Sequence, residues 1–280
     1  MRLDVFFLSF LKNPQNLNER IIKTMKFARL VFIFSLIIAS NCVCGYNHIK
    51  KDFLNSQQSI LPVTSFVQIA KTIEIKVCPE VDACLILNLG TLGSGAIIEK
   101  VNTGFFVLTA DHVCEIPDLI PDEFRSISTI DVKLFVKDFN NKEIKAFTFK
   151  QENFNDMCIL YANKTTDFPK ITMSTIAPKI GDKVFNIAAP GGIFSAQMVP
   201  MYEGFYSGET IMKNRTLAVY SIHAYPGSSG SMVLNHKGEL IGMIHSGFAA
   251  VNTISLSPTY DILKDFIFSS LREIKLLTSS

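Results

Sequence analysis

The chain has 280 residues, with 27 lysines and arginines against 25 aspartates and glutamates, for a net charge of +2. That balance leaves no electrostatic footprint for nucleic acid. A chain of this length, with no internal repeat, has room for one principal domain plus a leader.

The N-terminal part reads as the leader. Lys23, Lys26 and Arg29 precede a wholly apolar run at 30–39, interrupted only by Ser35, and Ser40, Asn41 and Gly45 follow it. A basic stretch, a short apolar stretch and a small-residue exit describe a secretory signal. Met25-Lys26 would be an ordinary start for such a signal, so residues 1–24 read as an upstream extension or a misassigned start. The competing reading is an uncleaved anchor, giving membrane association through residues 27–44. At about 18 residues that stretch is at the short end for crossing a bilayer, so export is favoured over a permanent anchor. We expect residues 1–45 to form an N-terminal hydrophobic leader helix with its extension, 46–65 a polar tether, and 66–280 the folded domain. The mature protein is then secreted or held on the non-cytoplasmic side of a membrane.

Beyond the tether, short runs rich in Val, Ile, Phe and Thr recur at 72–78, 83–88, 105–109 and 183–188, separated by Gly, Asn and Asp turns. This rhythm predicts an all-β sandwich or barrel. One helix is expected near the end, at 260–271, where Ile262, Leu263, Phe266, Ile267 and Leu271 fall at helical spacing. No further domain is expected after it.

Three segments carry chemistry. Leu108-Thr109-Ala110-Asp111-His112-Val113-Cys114 puts a histidine at the end of the apolar run Phe105-Phe106-Val107. Asn155-Asp156-Met157-Cys158-Ile159-Leu160 opens an apolar strand with an aspartate. An unpaired buried carboxylate is expensive, so Asp156 makes sense if a histidine N–H receives its charge. Tyr225-Pro226-Gly227-Ser228-Ser229-Gly230-Ser231 sets serines in a glycine-flanked turn ahead of the strand Met232-Val233-Leu234. A nucleophilic serine needs such small neighbours, because the oxyanion made by its attack must be held by preorganised N–H donors. Taken alone, the turn is also what a plain hairpin loop would show. Together the three give the chain order His112, Asp156, Ser229, that of one of the unrelated triad arrangements and distinct from the others.

With these motifs in hand, the segment from about residue 72 to 271 resembles the chymotrypsin-fold serine proteases of the Deg/HtrA and glutamyl-endopeptidase kind. Gly93-Ser94-Gly95-Ala96-Ile97-Ile98 is similar to the glycine-rich strand before the histidine strand, and the stretches around His112, Asp156 and Ser229 to the three catalytic boxes. Ile180-Gly181-Asp182-Lys183-Val184-Phe185 resembles the strand opening the second barrel, with Ala189-Pro190-Gly191-Gly192 as its turn, and Gly238-Glu239-Leu240-Ile241-Gly242 the hairpin after the serine. The resemblance implies two six-stranded antiparallel β-barrels with a C-terminal helix. It also implies a triad of His112 (general base), Asp156 (orienting acid) and Ser229 (nucleophile), with the N–H groups of Gly227 and Ser229 as oxyanion hole. Ser228 and Ser231 are the nearest rivals as nucleophile and read as turn residues. Ser228 stands where trypsin-like zymogens carry an activating aspartate, so activation through that ion pair is not expected.

The substrate-binding wall is expected from His245, Ser246, Gly247, His223 and Ala224. Related proteases use a histidine near this strand to read Glu or Gln at P1, and His245 is the candidate here. One extra residue separates it from Gly242, and a one-residue slip on a strand reverses the face of every side chain. His245 can therefore also lie outside the pocket, with His223 lining it instead.

Four cysteines remain past the leader: Cys78, Cys84, Cys114 and Cys158. An even number in an exported chain permits three pairings. Cys78 with Cys84 is the favoured bridge, while Cys114 and Cys158 read more readily as small buried residues. No metal-ligand spacing occurs in the domain, so no metal or other cofactor is expected. The expected function is a serine endopeptidase acting on protein or peptide substrates. A gated or inactive barrel serving as a binding module, and an acyl hydrolase of non-peptide esters, are the alternatives.

Overall fold

A computed structural model describes residues 61–278, apart from 81–82, 117–118 and 249–250. The leader at 1–45 and most of the tether lie outside the described residues. Among the described residues, no helix is long and apolar enough to cross a membrane.

Six strands build the first half: β1 (Phe66–Glu80), β2 (Ala83–Val101), β3 (Gly104–Thr109), β4 (Ser128–Lys137), β5 (Glu143–Glu152) and β6 (Met157–Ala162). They close into a barrel in the order β1-β2-β3-β6-β5-β4. In the outer part of β1, Lys71, Ile73 and Ile75 are buried while Thr72, Glu74 and Lys76 are exposed, the period-2 pattern of a strand with one wet face. β3 lies between β2 and β6 and is buried at all six positions, which explains its unbroken apolar run. Residues 83–88 and 93–98, read as separate strands in the sequence, are one strand. β2 stays in continuous register with β1 from Phe66↔Ala96 to Val77↔Leu85, passing through Gly90 and Gly93. Its outer part projects as an arm with Leu85, Ile86 and Leu87 exposed.

The second half is a seven-stranded sheet of β7 (Lys183–Ile187), β8 (Met201–Met212), β9 (Arg215–Tyr220), β10 (Ser231–Leu234), β11 (Leu240–Ile244), β12 (Ser246–Phe248) and β13 (Val251–Pro258), in the order β11-β10-β7-β8-β9-β13-β12. This differs from the six-stranded barrel expected, and the reason lies at His245. The sheet's two ends, β11 and β12, are consecutive pieces of chain interrupted at that residue, whose N–H donates to Leu256 O at 3.0 Å. One break turns what would be six strands into seven and brings the ends of the sheet together.

Two α-helices are found among the described residues. The one-turn α1 (Asp111–Cys114) follows β3 directly, and α2 (Tyr260–Thr278) follows β13. α2 runs one to two turns beyond the expected 271 because Ile274 continues its buried stripe, after Leu263, Phe266 and Ile267. These side chains join one apolar cluster that also holds Ile98 of the barrel and Leu240 of the sheet. Each fully buried aliphatic side chain there contributes about 1.5–3 kcal/mol. Among the described residues two disulfides are present, Cys78–Cys84 at the end of the arm and Cys114–Cys158 between α1 and β6. The second corrects the reading of Cys114 and Cys158 as unpaired: register sets Cys158 opposite Thr109, and the turn into α1 carries Cys114 back over it.

Candidate active site

Buried polar groups fix α1, and with it His112. The Lys71 ammonium donates to the carbonyls of His112 (3.0 Å) and Glu115 (2.8 Å). Burial pushes the Lys71 amine below its ordinary value, against the pull of Glu115 and Asp111. The Asp111 carboxylate accepts from Gln151 Nε2 at 2.7 Å and Asn153 Nδ2 at 2.8 Å. Burial pushes that carboxyl up, opposed by the Gln151 hydrogen bond. The His112 side chain is left 45% exposed, open to a substrate.

Asp156 ends the turn before β6 with φ at +59°, a left-handed conformation that aspartate tolerates better than most residues. Its carboxylate meets His112 three ways: Oδ1 accepts the His112 backbone N–H at 2.9 Å, and the Nδ1 lies 3.0 Å from Oδ1 and 2.9 Å from Oδ2. Burial drives the Asp156 carboxyl up, but hydrogen bonds from His112 and His245 outweigh it and hold the group well below the usual carboxylate range. A charged Asp156 fixes the His112 tautomer with its proton on Nδ1, leaving Nε2 free to accept.

Ser229 reaches this pair through the backbone. Its carbonyl accepts the Ser94 N–H at 2.7 Å, and the next N–H, of Gly230, donates to Ile244 O at 2.7 Å. Gly93 is wedged between the two sites. A Cβ there would stand 2.8 Å from Val113 Cγ1, beside His112, and 3.3 Å from Ser229 O. Among the described residues, no hydrogen bond links Ser229 to His112, a contact that often tightens only with substrate bound. The rival serines are committed elsewhere. Ser231 is fully buried and its Oγ accepts from Asn186 Nδ2 at 2.8 Å, while Ser228 is 1% exposed with its Oγ 3.4 Å from the Tyr225 N–H. Ser229 is the partly exposed one.

The loop leaves two donors open. Ser228 N–H is used by Tyr225 O and Gly230 N–H by Ile244 O, whereas the N–H groups of Gly227 and Ser229 meet no acceptor among the described residues. Gly227 has φ at +96°, which a residue with a Cβ adopts only under strain.

A cavity of about 390 Å³ opens beside Ser229, lined among others by Ala224, Tyr225, Ser246, Gly247, Phe248 and Asn252. Three of the five residues expected on the substrate wall, Ala224, Ser246 and Gly247, line this cavity. The two histidines are not. His223 is exposed, its ring 6.2 Å from that of Tyr202 and 6.4 Å from that of Tyr225. His245 is 4% exposed and turns to Asp156, its Nδ1 3.3 Å from Oδ2. The extra residue after Gly242 has put the ring on the opposite face of the strand from the pocket. Sequence reading missed Tyr225 and Asn252, whose side chains share a 2.5 Å hydrogen bond at the cavity, and Ser94, whose only signal was its place between two glycines. Among the described residues, no cluster of His, Cys, Asp or Glu could hold a metal ion.

A closed barrel carrying an Asp–His pair, joined to a second sheet carrying a serine in a glycine-held loop, is the architecture of the chymotrypsin-fold serine proteases. The chain belongs to the trypsin-like peptidase domain family, whose description matches residues 93–243, more than half of its length. It is also similar to the crystal structure of the serine endoprotease from Yersinia pestis, with a TM-score of 0.52 and 20% identity. That similarity covers 75% of this chain and 64% of the other, so the chain spans less than two thirds of that protein's length.

Proposed function

We propose that this protein is a serine endopeptidase working through His112, Asp156 and Ser229. His112 Nε2 takes the proton of the Ser229 hydroxyl as its oxygen attacks the scissile carbonyl, then returns it to the leaving amine. Asp156 keeps the imidazole oriented and balances its charge once protonated. The oxyanion of the tetrahedral intermediate is received by the N–H groups of Gly227 and Ser229. Collapse expels the amine and leaves an acyl-enzyme, which water, activated by the same histidine, hydrolyses. The observation that carries this reading is the Asp156 carboxylate held on His112 Nδ1 at 2.9 Å, beside the only serine of its loop that is not tied into the protein interior.

The expected Glu or Gln preference at P1 rested on His245, which now faces Asp156. The six cavity residues named above carry no charged side chain, and a glutamate brought in without a cation would stay desolvated and unpaired. Glutamine keeps partners in Asn252, Tyr225 and Ser246. We therefore propose neutral P1 residues, glutamine among them, in preference to glutamate.

A gated or inert barrel draws on one observation, the missing His112–Ser229 hydrogen bond. Against it stands the open pair of N–H donors. Digestion of a protein substrate, with the cuts read by mass spectrometry and compared with Ser229→Ala, decides. Cuts that vanish in the variant support the protease, and cuts that persist, or none from either protein, overturn it.

We also propose an exported or membrane-anchored protein, from the apolar run at 30–39 and from two disulfides of the kind that form in an oxidising compartment. Fractionation of a tagged chain with N-terminal sequencing tests this, and a cytosolic protein with intact residues 1–45 would refute it.

A further inference from the structure

Ser94 is fully buried on β2, and every polar atom it has is spent outside its own strand pair. Its N–H donates to Ser229 O at 2.7 Å and its hydroxyl to Gly227 O at 2.7 Å. The same hydroxyl oxygen accepts the Ala189 N–H at 3.0 Å, and the Ser94 carbonyl accepts the Thr109 hydroxyl at 2.8 Å. One residue of the barrel thus binds the serine loop twice, at the two carbonyls that flank Ser228 and Ser229.

The consequence follows from peptide planarity. In a trans peptide the C=O and the next N–H point opposite ways. With the Gly227 carbonyl drawn to Ser94, the Ser228 N–H faces away and meets Tyr225 O at 2.8 Å. With the Ser229 carbonyl drawn to Ser94, the Gly230 N–H is sent to Ile244 O. Both of these peptides are locked, and the Gly227 and Ser229 N–H groups, carried by the peptides that adjoin them (Pro226–Gly227 and Ser228–Ser229), are the donors left over. The loop has no ion pair to order it, since Ser228 is neutral. The donors' own peptides are braced as well, Pro226 O accepting the Gly191 N–H at 2.7 Å and Ser228 O the Ser231 N–H at 3.0 Å.

We propose that Ser94 is the positioning residue of the oxyanion-binding loop, holding the Gly227 and Ser229 N–H pair in its receptive orientation from across the two halves. This rests on the endopeptidase reading above. Ser94→Ala removes the donor to Gly227 O and the acceptor of Ala189 N–H, so the Gly227–Ser228 peptide loses its lock.

One oxyanion donor is worth about 10²–10³ in kcat, so a loosened one predicts a loss of about 10- to 100-fold in kcat with KM held within about threefold. A peptide aldehyde, which binds as a tetrahedral oxyanion, should weaken by a similar factor. Tyr260→Phe is the control: it deletes a buried hydrogen bond to Ser174 O, 2.7 Å long and remote from the loop, and should leave kcat alone. Ser94→Cys, isosteric and a weaker donor, should fall between wild type and Ser94→Ala, and it carries the test if the alanine variant does not fold. Folded Ser94 variants with wild-type kcat and aldehyde affinity, beside an inactive Ser229→Ala, would overturn the proposal alone. So would equal losses in the Ser94 variants and Tyr260→Phe. A wild-type protein without Ser229-dependent turnover would instead overturn the endopeptidase reading, and this proposal with it.

Discussion

His245 Nδ1 lies 3.3 Å from Asp156 Oδ2, the same carboxylate oxygen that His112 Nδ1 approaches at 2.9 Å. One acid is held between two imidazoles, one exposed to the substrate side and the other buried. The buried ring has its Nε2 without a hydrogen-bond partner among the described residues. That fits the tautomer whose Nδ1–H points to Asp156, since Nε2 then carries no proton that would need a partner. His245 is therefore placed to orient Asp156, and its ring is turned away from the cavity beside Ser229.

Replacing it tests that assignment. A hydrogen bond to a charged group is worth about 1.5–3 kcal/mol, so His245→Leu should lower kcat by about 10- to 100-fold. His245→Asn, which can keep a donor near the Nδ1 position, should recover most of this. Neither should alter P1 preference in a peptide panel, and a changed preference would return His245 to the pocket.

Asp156→Asn should cost about 10⁴ in kcat through loss of the correct imidazole tautomer. Its effect on stability depends on pH in a defined direction. The folded-state carboxyl is held below its ordinary value of 3.8, so its contribution is complete above that value. It is lost as pH falls from there toward the depressed folded-state value. Between pH 5 and the acid limit, urea midpoints of wild type and Asp156→Asn should converge as pH falls below about 4. A gap that widened on acidification would show that the carboxylate is not stabilised in the fold.

Gly227→Ala isolates the oxyanion loop. The new Cβ would meet Ala189 O at 2.5 Å and the N–H nitrogens of Gly191 and Gly192 at 3.2 Å, on a backbone at φ +96°. The loop must move, and loss of one donor predicts a fall in kcat of about 10²-fold or more. Steady-state kinetics on a peptide substrate reads it, and unchanged kcat would remove the Gly227 N–H from the mechanism.

The two disulfides should separate stability from activity. Cys114–Cys158 spans 44 residues, which in the chain-entropy account is worth about 4 kcal/mol. Cys78–Cys84 spans 6, worth about 2 kcal/mol. Replacing the first pair by alanine should lower Tm by about 8–16 °C and reduce kcat, because both cysteines lie two residues past a member of the His112–Asp156 pair. Replacing the second pair, at the tip of the arm, should lower Tm less and leave kcat as it was. Thermal melts and turnover at one temperature give both readings.

The parts of this site legible in the sequence were those that local chemistry enforces. His112 follows a fully apolar strand, Asp156 opens another where a bare acid would be costly, and Ser229 sits between glycines that its loop needs. What stayed hidden depended on distance through space. The face of His245 turned on a single extra residue in a strand of period 2, and the bond between Cys114 and Cys158 on a register between β3 and β6 that spacing does not encode. Ser94 looked like part of a glycine-rich run, because nothing local to it shows that three of its four partners lie 95 to 135 residues further along the chain. The same nonlocality explains why the second sheet was expected with one strand too few.

His112 and Asp156 belong to the barrel, Ser229 to the sheet, and the chain passes once from one to the other between β6 and β7. On the endopeptidase reading, neither half owns a complete reaction centre. Turnover is then a direct gauge of assembly. Two fragments separated in that connection would each be silent, and any hydrolysis on mixing them would count the molecules in which the halves had found each other.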